Sequence, residues 1–212
     1  RPKVSVVICT YQRLELLREA FASIEEQTLR EKCVIEIIIV DNGNTRPDML
    51  EYLAYKKSAK FSGLRVKVIR HRENVNNIAV GWNVGIQAST GEHVCFLDDD
   101  NRKLPTYCET LSAWLDAHPD RFAVRCDDWI VNLVTGQRTN RRLQPHQRSE
   151  KLSIEEELRG NWVDSGCLMV RKSFFDRFGM LDERLKACED WDLVARLVAR
   201  ADGIGYVDEA LT

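Results

Sequence analysis

The stretch HVCFLDDDNRKLP, from His93 to Pro105, joins an apolar segment to three consecutive aspartates. Its residues VCFL predict a strand that is buried in a sheet. Three like charges at the end of such a strand repel each other, and the arrangement becomes favourable when a divalent cation lies between the carboxylates. We call Asp98, Asp99 and Asp100 the acidic triplet. A solvated loop with helix-capping aspartates is the alternative, and the buried strand before the triplet argues against it.

The carboxylate oxygens of the acidic triplet suit Mg²⁺ or Mn²⁺, which are hard cations. Proteins usually hold Mg²⁺ with one or two carboxylates, and the phosphates of a substrate complete the site. Asp100 is the first candidate for a metal ligand. Asp98 is the second, because side chains alternate along a strand, so that Asp98 and Asp100 point the same way if the strand continues.

Strands and helices alternate through residues 3–117. The strand-like runs are KVSVVICTY (3–11), VIEIIIVDNGNT (34–45), LRVKVIRHRE (64–73) and EHVCFLDDD (92–100), and the helical segments are 15–27, 48–57, 77–90 and 104–117. Gly91 is expected to end the third of these helices. The alternation predicts an α/β fold with a Rossmann-like, mostly parallel sheet that is flanked by helices on both faces.

Polar residues follow the predicted strands where each strand ends. They are Thr10 and Tyr11, Asp41 and Asn42, and the acidic triplet. In sheets of this kind, ligands bind beyond the carboxyl ends of the strands. The sequence therefore predicts a binding site at this edge of the sheet.

The second half of the chain is less regular, because the alternation of strands and helices ends near Asp120. Residues 122–143 predict a hairpin that turns at Thr135 and Gly136, and residues 144–150 predict a polar loop. A short helix is expected at 153–158, where Ser153 and Glu156 fit a capping box. A strand and a helix ended by Gly179 are expected at 162–179, an amphipathic helix at 189–202 and a final strand from 203. We expect one domain, 1–212, with lobes at 1–120 and 121–212.

The composition is that of an ordinary soluble globular protein, with 44% hydrophobic and 30% charged residues among 212. A formal net charge of −2 does not favour a general nucleic-acid binder. No apolar run reaches the roughly 20 residues that span a bilayer, so no transmembrane segment is predicted. The 7 cysteines show no C-x-x-C spacing, and Cys9, Cys33 and Cys95 are expected to be reduced core residues of a cytoplasmic protein.

The ordered set of motifs resembles the family 2 glycosyltransferases, which are inverting, nucleotide-sugar-dependent enzymes with the GT-A fold. The matching segments are VSVVICTYQR, IIIVDNGNT, NVGIQASTGEHVCFLDDD and SGCLMVRKSFFDRFGMLDERLKACEDWDL, and together they cover nearly the whole chain. The resemblance implies that residues 1–120 bind the nucleotide sugar and that the smaller lobe, 121–212, binds the acceptor. The expected enzyme is a hexosyltransferase-type glycosyltransferase.

The resemblance also implies roles for individual residues. It places Asp190 as the catalytic base, with Glu189 beside it, and assigns Asp100 and Asp98 to the metal. The expected donor-sugar or acceptor contacts are Trp162, Asp164 and Gly166. The residues expected to bind the nucleotide are Thr10, Tyr11, Arg13, Asp41, Asn42, Asn77, Asn83, Asp98 and Asp99.

The implied reaction is a single displacement in which an acceptor hydroxyl attacks the anomeric carbon and a diphosphate leaves. A divalent cation neutralises charge on the leaving phosphates, and a carboxylate takes the proton of the hydroxyl. Carboxylates in the first turn of a helix are also stabilised by the helix dipole, which is a structural explanation of Glu189 and Asp190. The resemblance favours the catalytic explanation.

Asn42 departs from the family pattern, which often has a second aspartate at that place. An amide can pair with several bases, so UDP-sugars are favoured while GDP- and dTDP-sugars stay open. The acceptor is expected to be a carbohydrate or a lipid-linked molecule in polysaccharide, glycolipid or other glycoconjugate synthesis. Analogy alone suggests this setting, in the cytoplasm and with peripheral contact at the inner face of the membrane.

Two other functions are compatible with an α/β sheet that binds nucleotides. A nucleotidyltransferase tends to carry a glycine-rich phosphate loop with basic residues after its first strand, and CTYQRLELL contains no such loop. A module that has lost catalysis and only senses a nucleotide sugar is the other alternative. The presence of Asp190 and of the acidic triplet argues against it.

Overall fold

The computed structural model of the chain describes residues 2–132, 134–140, 152–200 and 203–212. The polar loop predicted at 144–150 lies outside these ranges. The described residues contain a sheet of 7 strands in the order β3-β2-β1-β4-β8-β5-β9. None of the described helices has the length and apolar character that crossing a bilayer requires.

The first four strands pair in parallel with one another and confirm the predicted architecture. They are β1 (Val4–Thr10), β2 (Ile35–Asp41), β3 (Leu64–Arg70) and β4 (His93–Asp98). Strands β1 and β2 are buried along their whole length, because helices cover both faces of the sheet. The register sets Thr10 opposite Asp41 and Cys9 opposite Asp98. The polar strand ends therefore meet at one edge, as the sequence predicts.

The helices divide the apolar side chains into two cores, one on each face. Helices α1 (Leu14–Glu25), α2 (Pro47–Ser58) and α4 (Tyr107–Ala117) share a core with Val6 and Ile8. Helix α3 (Ile78–Ala88) lies on the opposite face with Val7 and Cys9. Because each fully buried aliphatic or aromatic side chain contributes about 1.5–3 kcal/mol, this two-sided packing holds the strand ends in fixed positions.

The second half of the chain extends the same sheet. Strand β5 (Ala123–Asp127) lies in the main sheet, while β6 (Trp129–Val131) and β7 (Arg138–Asn140) pair only with each other as an antiparallel ribbon. The hairpin predicted at 122–143 is therefore wrong at its start. All residues of β5 are buried, because the strand is paired on one side with β8 (Leu168–Arg171) and on the other with β9 (Gly205–Ala210).

The remaining helices follow the prediction closely. Helix α5 (Ile154–Glu157) has the capping box of Ser153 and Glu156, α6 is Lys172–Phe178, and α7 is Glu189–Arg200. Gly179 follows α6 with a φ of 86°, a conformation that favours glycine.

Gly91 does not end α3, which stops at Ala88 and is followed by the cap residue Ser89. A β-carbon at Gly91 would lie 2.7 Å from the backbone nitrogen of Ser5. The glycine is therefore required by the close approach of this loop to β1, which a local pattern does not reveal.

Candidate active site

The edge that gathers the polar strand ends receives a fourth contribution from β8. This strand runs antiparallel to β4, with Cys95 opposite Met169, so the residues before β8 lie at the same edge as the acidic triplet. Among them is Asp164, which caps the 3₁₀ turn Ser165–Cys167 through a bond from the Gly166 amide to its Oδ1, 2.7 Å long. The reversal of β8 thus brings an acid from the second half of the chain to Asp98.

Asp98 lies in an environment that disfavours its ionised form. Burial, followed by the nearby carboxylates of Asp164 and Asp100, raises the pKa of Asp98 to about 6, and the ammonium group of Lys103 opposes the rise. No described residue donates a hydrogen bond to the Asp98 carboxylate. A divalent cation bound among these acids would relieve their mutual repulsion.

Arg13 is the basic residue that pairs with the rest of the triplet. Its guanidinium contacts the buried Asp99 and donates a hydrogen bond of 2.8 Å from Nη1 to Oδ2 of the exposed Asp100. Burial raises the pKa of Asp99, while the Thr10 hydroxyl and Arg13 oppose the rise. Thr10, Arg13 and the triplet therefore form one cluster, as predicted.

Asp41 and Asn42 lie at the end of β2, at the same edge of the sheet as Thr10. The Oδ1 atom of the buried Asp41 accepts a hydrogen bond of 2.8 Å from the Asn44 amide, and Oδ2 lies 3.3 Å from Arg70 Nε. Asn42 donates from Nδ2 to Asn74 and accepts from the backbone amide of residue 75. The amide of Asn42 thus fixes the loop that faces it.

Tyr11 is an exposed member of the predicted nucleotide pocket. Its side chain is 40% exposed at the end of β1, where a flat ligand could reach the ring. The next residue, Gln12, has a φ of 59°. Such a left-handed conformation is uncommon for a residue with a side chain and occurs often at functional sites.

Two predicted nucleotide ligands use their amides inside the protein. Asn77 caps α3 by accepting from the Ala79 amide and donates to the carbonyl oxygen of Glu183. The buried Asn83 exchanges two hydrogen bonds of 2.9 Å with the backbone of Leu181. Both asparagines tie α3 to the second half of the chain, and no described contact joins them to the acidic triplet.

Asp190 and Glu189 lie in the first turn of α7. Asp190 Oδ2 accepts a hydrogen bond of 3.1 Å from Nδ2 of Asn161. Asn161 directly precedes Trp162, and the same segment continues to Asp164 beside the triplet. A short stretch of chain therefore links the two predicted acid sites, although no direct contact joins them.

Trp162 and Gly166 lie on this connecting segment. Trp162 is half-buried, and its indole nitrogen donates to the carbonyl oxygen of Glu156 at 3.0 Å. Gly166 is buried, and a β-carbon there would lie 2.9 Å from Asp164 Oδ1. The glycine is needed for this close approach.

Sequence reasoning missed three buried charged residues near the site: Lys103, Arg125 and Glu157. The Lys103 ammonium contacts the carbonyl oxygen of Gly166 and lies 4.3 Å from the ring centre of Tyr107. In the sequence, Lys103 reads as an exposed loop residue. The apolar strand and helix on either side of its short loop are the only local sign of its burial.

Comparison with known proteins supports the predicted family. The family model described as "Glycosyl transferase family 2" matches residues 5–179. An uncharacterized glycosyltransferase of Haemophilus influenzae is 27% identical over 215 residues, which cover 99% of this chain and 67% of the relative.

Solved structures of similar fold include two proteins with bound donors. TarS 1–349 of S. aureus in complex with UDP-GlcNAc matches with a TM-score of 0.76 and 20% identity, over 99% of this chain and 57% of that one. The mannosyltransferase PcManGT of Pyrobaculum calidifontis, in complex with GDP-Man and Mn²⁺, matches with a TM-score of 0.70 and 20% identity, over 99% and 55%. The chain spans less than two thirds of these solved structures.

Proposed function

Because the chain belongs to glycosyl transferase family 2, we propose that it transfers a sugar from a nucleoside diphosphate sugar to an acceptor hydroxyl with inversion at the anomeric carbon. The observation that supports this most is the proximity of Asp98, at the end of β4, to Asp164, in the turn before β8, at the edge where β1, β2 and β4 end. An attack from the face opposite the leaving group requires the base and the diphosphate to lie on two sides of the sugar.

The nucleotide would bind across the ends of β1, β2 and β4. Asp41 and Asn42 would face the base, and Thr10, Tyr11, Arg13 and Asp99 would surround the ribose and phosphates, with Asn77 and Asn83 closing this side through α3. UDP is the favoured nucleotide. The likeness to TarS in complex with UDP-GlcNAc supports it, while the GDP-Man complex of the mannosyltransferase keeps GDP open.

A divalent cation, Mn²⁺ or Mg²⁺, would bind at the acidic triplet. Asp100 and Asp98 would hold it, since Asp98 is crowded by acids and has no described hydrogen-bond donor. Bound there, the cation would neutralise charge on the leaving diphosphate. Arg13 pairs with Asp99 and Asp100. When a cation binds these carboxylates, the guanidinium would be released to contact phosphate oxygens.

Asp190 would act as the base. The bond from Asn161 to Oδ2 orients its carboxylate, which must come within about 3 Å of the attacking hydroxyl. Glu189 would lie beside the acceptor, and Trp162, Asp164 and Gly166 would line the sugar site. In this proposal residues 1–120 bind the donor and residues 121–212 the acceptor, within one domain.

The acceptor would be a carbohydrate or lipid-linked molecule of glycoconjugate synthesis, reached from the cytoplasm at the inner face of a membrane. This part of the proposal rests on analogy with the family. It is tested by offering lipid-linked and free carbohydrate acceptors to the same preparation.

The test of the chemistry is donor turnover measured with and without Mn²⁺ for the wild type, Asp190→Asn and Asp192→Asn. Asp192 is the matched control, because it lies in the same helical turn and pairs with Arg196 at 2.9 Å. We expect Asp190→Asn to abolish transfer while UDP still raises the melting temperature by mass action. Loss of transfer in both variants, or loss of UDP binding with transfer, would contradict the assignment of Asp190.

A further inference from the structure

The β6–β7 ribbon carries an exposed apolar surface that the proposed function does not use. Ten large apolar side chains are exposed among the described residues, and four of them fall within positions 129–134. Their exposed fractions are 38% for Trp129, 54% for Ile130, 45% for Val131 and 94% for Val134. We call these four side chains the ribbon surface. Single exposed apolar residues are ordinary, whereas a cluster of them often marks a site of contact with another molecule or with a membrane.

The backbone holds the ribbon and its turn in a defined shape. Strands β6 and β7 are paired along their whole length. In the turn that joins them, Oδ1 of Asn132 accepts hydrogen bonds from the amides of Val134 and Thr135 at 2.9 and 3.1 Å. The Gly136 amide donates to the carbonyl oxygen of Asn132 at 2.8 Å. Val134 is therefore fixed in a hydrogen-bonded turn while almost its whole side chain is exposed.

The apolar side chains lie on both faces of the ribbon. Successive side chains of a strand point to opposite faces, so Trp129 and Val131 lie on one face and Ile130 lies on the other. A ribbon that packs against another folded surface needs only one apolar face, and its second face is then polar. Apolar side chains on both faces and in the turn suit a medium that surrounds the ribbon, as the apolar layer of a membrane does.

The charge of this segment indicates the kind of membrane. Residues 129–149 contain four arginines and no aspartate or glutamate, although the formal net charge of the chain is −2. Arg138 is exposed on β7, opposite Val131. The other three arginines lie outside the described residues and enter the argument only through the charge of the sequence. Basic residues beside an inserted apolar segment favour anionic lipid headgroups, so the segment is complementary to an anionic membrane.

The ribbon begins at the edge of the sheet that carries the acidic triplet. Strand β8 runs antiparallel to both β4 and β5, so β4 and β5 end at the same edge. Trp129 follows β5 closely, and its backbone amide donates to the carbonyl oxygen of Thr212 at 2.8 Å. The Thr212 hydroxyl donates to the carbonyl oxygen of Arg102 at 3.1 Å, just beyond Asp100. A membrane that holds the ribbon would therefore lie beside the proposed sugar site.

We propose that the ribbon surface inserts into the apolar layer of a membrane and that Arg138 binds an anionic lipid headgroup beside it. A lipid-linked acceptor would then reach the site without leaving the membrane. The inference rests on the proposed function only for this acceptor, since the binding of lipid itself needs neither a nucleotide sugar nor a metal.

The test measures how the protein partitions onto vesicles by sedimentation, without nucleotide or metal. Vesicles of equal parts of phosphatidylcholine and phosphatidylglycerol are compared with vesicles of phosphatidylcholine alone, and the wild type should bind the anionic vesicles more tightly. Val134→Asp should lower the partition coefficient by roughly 10-fold or more, as for the loss of one buried aliphatic side chain. Arg138→Gln should lower it by about 5-fold for the anionic vesicles only, as for one arginine near an anionic surface.

Tyr55→Asp is the matched control, because it places the same charge at an exposed site away from the ribbon. Tyr55 is 59% exposed near the end of α2. This helix leads from the end of β2 to the start of β3, which is parallel to β2, so Tyr55 lies near the opposite edge of the sheet. Its partition coefficient should stay within about 2-fold of wild type, because salt screens a charge at that distance. Both aspartate variants change exposed side chains and should unfold at the wild-type temperature.

Four results would overturn the inference. They are no vesicle binding by the wild type, unchanged binding by Val134→Asp, an equal loss in Tyr55→Asp, and a dimer in light scattering that Val134→Asp dissociates, which would assign the ribbon surface to a second copy of the chain. Equal binding of both kinds of vesicle by the wild type would overturn the role of Arg138. Failure of the proposed function looks different, because donor turnover and UDP binding are measured without vesicles and Val134→Asp should leave both unchanged.

Discussion

Replacing Glu157 with glutamine should remove a pH dependence of stability that the buried carboxyl group causes. Burial raises the pKa of Glu157 to about 7 from its ordinary value of 4.5, with Arg125 lowering it and Asp190 raising it further. Between pH 4.5 and about pH 7, the group is therefore protonated in the folded protein and ionised in the unfolded chain. Stability falls as the pH rises through this window.

The magnitude follows from the two pKa values. Each unit of pKa difference is worth about 1.4 kcal/mol. The contribution of Glu157 to the free energy of unfolding, fully present below pH 4.5 and lost above pH 7, is therefore about 3 kcal/mol. Glutamine does not titrate, so the difference in unfolding free energy between Glu157→Gln and wild type should grow in favour of the variant by about 3 kcal/mol from pH 4 to pH 8. For a chain of this size, that corresponds to about 6–12 °C in melting temperature.

The assay is urea denaturation of both proteins at several pH values between 4 and 8. Glu155→Gln is the control, because it removes an exposed carboxylate from the same helix and should give a difference that is constant with pH. A constant difference for Glu157→Gln would refute the reasoning, because it would mean that Glu157 titrates alike in the folded and unfolded states.

Two further substitutions test the packing that positions the site. Gly85→Ala should destabilise the protein by about 1–3 kcal/mol in urea denaturation, because the new β-carbon would lie 2.0 Å from a methyl carbon of Val7. Alanine stabilises an exposed helical position relative to glycine. A gain in stability would therefore contradict this prediction and show that the sheet can move away. Asn83→Ala should lower the free energy of unfolding by about 1–3 kcal/mol, because it leaves the buried backbone groups of Leu181 without partners. An unchanged melting curve with weaker UDP binding would instead show that the asparagine binds the nucleotide.

The parallel half of the fold could be predicted because its local signals agree with its tertiary role. Strand β2, with the sequence IEIIIVD, is apolar except for Glu36 and its last residue, Asp41, so burial and the functional edge are both visible in the sequence. The acidic triplet and Asp41 lie where these signals place them.

Strand β5 shows why the rest could not be predicted. Its alternation of Val124 and Cys126 with Arg125 and Asp127 is typical of a strand with one face in water. Both faces are in fact covered, and the charged side chains are buried beside Tyr206 of β9, whose ring lies next to Arg125 and whose hydroxyl donates to Asp127. Glu157 lies in the sequence IEEE, whose charges indicate exposure, and only the packing of α7 against α5 makes it a buried group.

Strand β8 lies next to β4 in the sheet but follows it by about 70 residues in the chain, so the site is completed late during synthesis. Strands β1 to β4 leave the ribosome first and can pair with one another, while the segment bearing Asp164 and Asp190 comes later. At about 5–20 residues per second, Asp190 emerges about 5 to 20 s after Asp98. A nascent chain in that interval already contains the acidic triplet but still lacks Asp190, the proposed base.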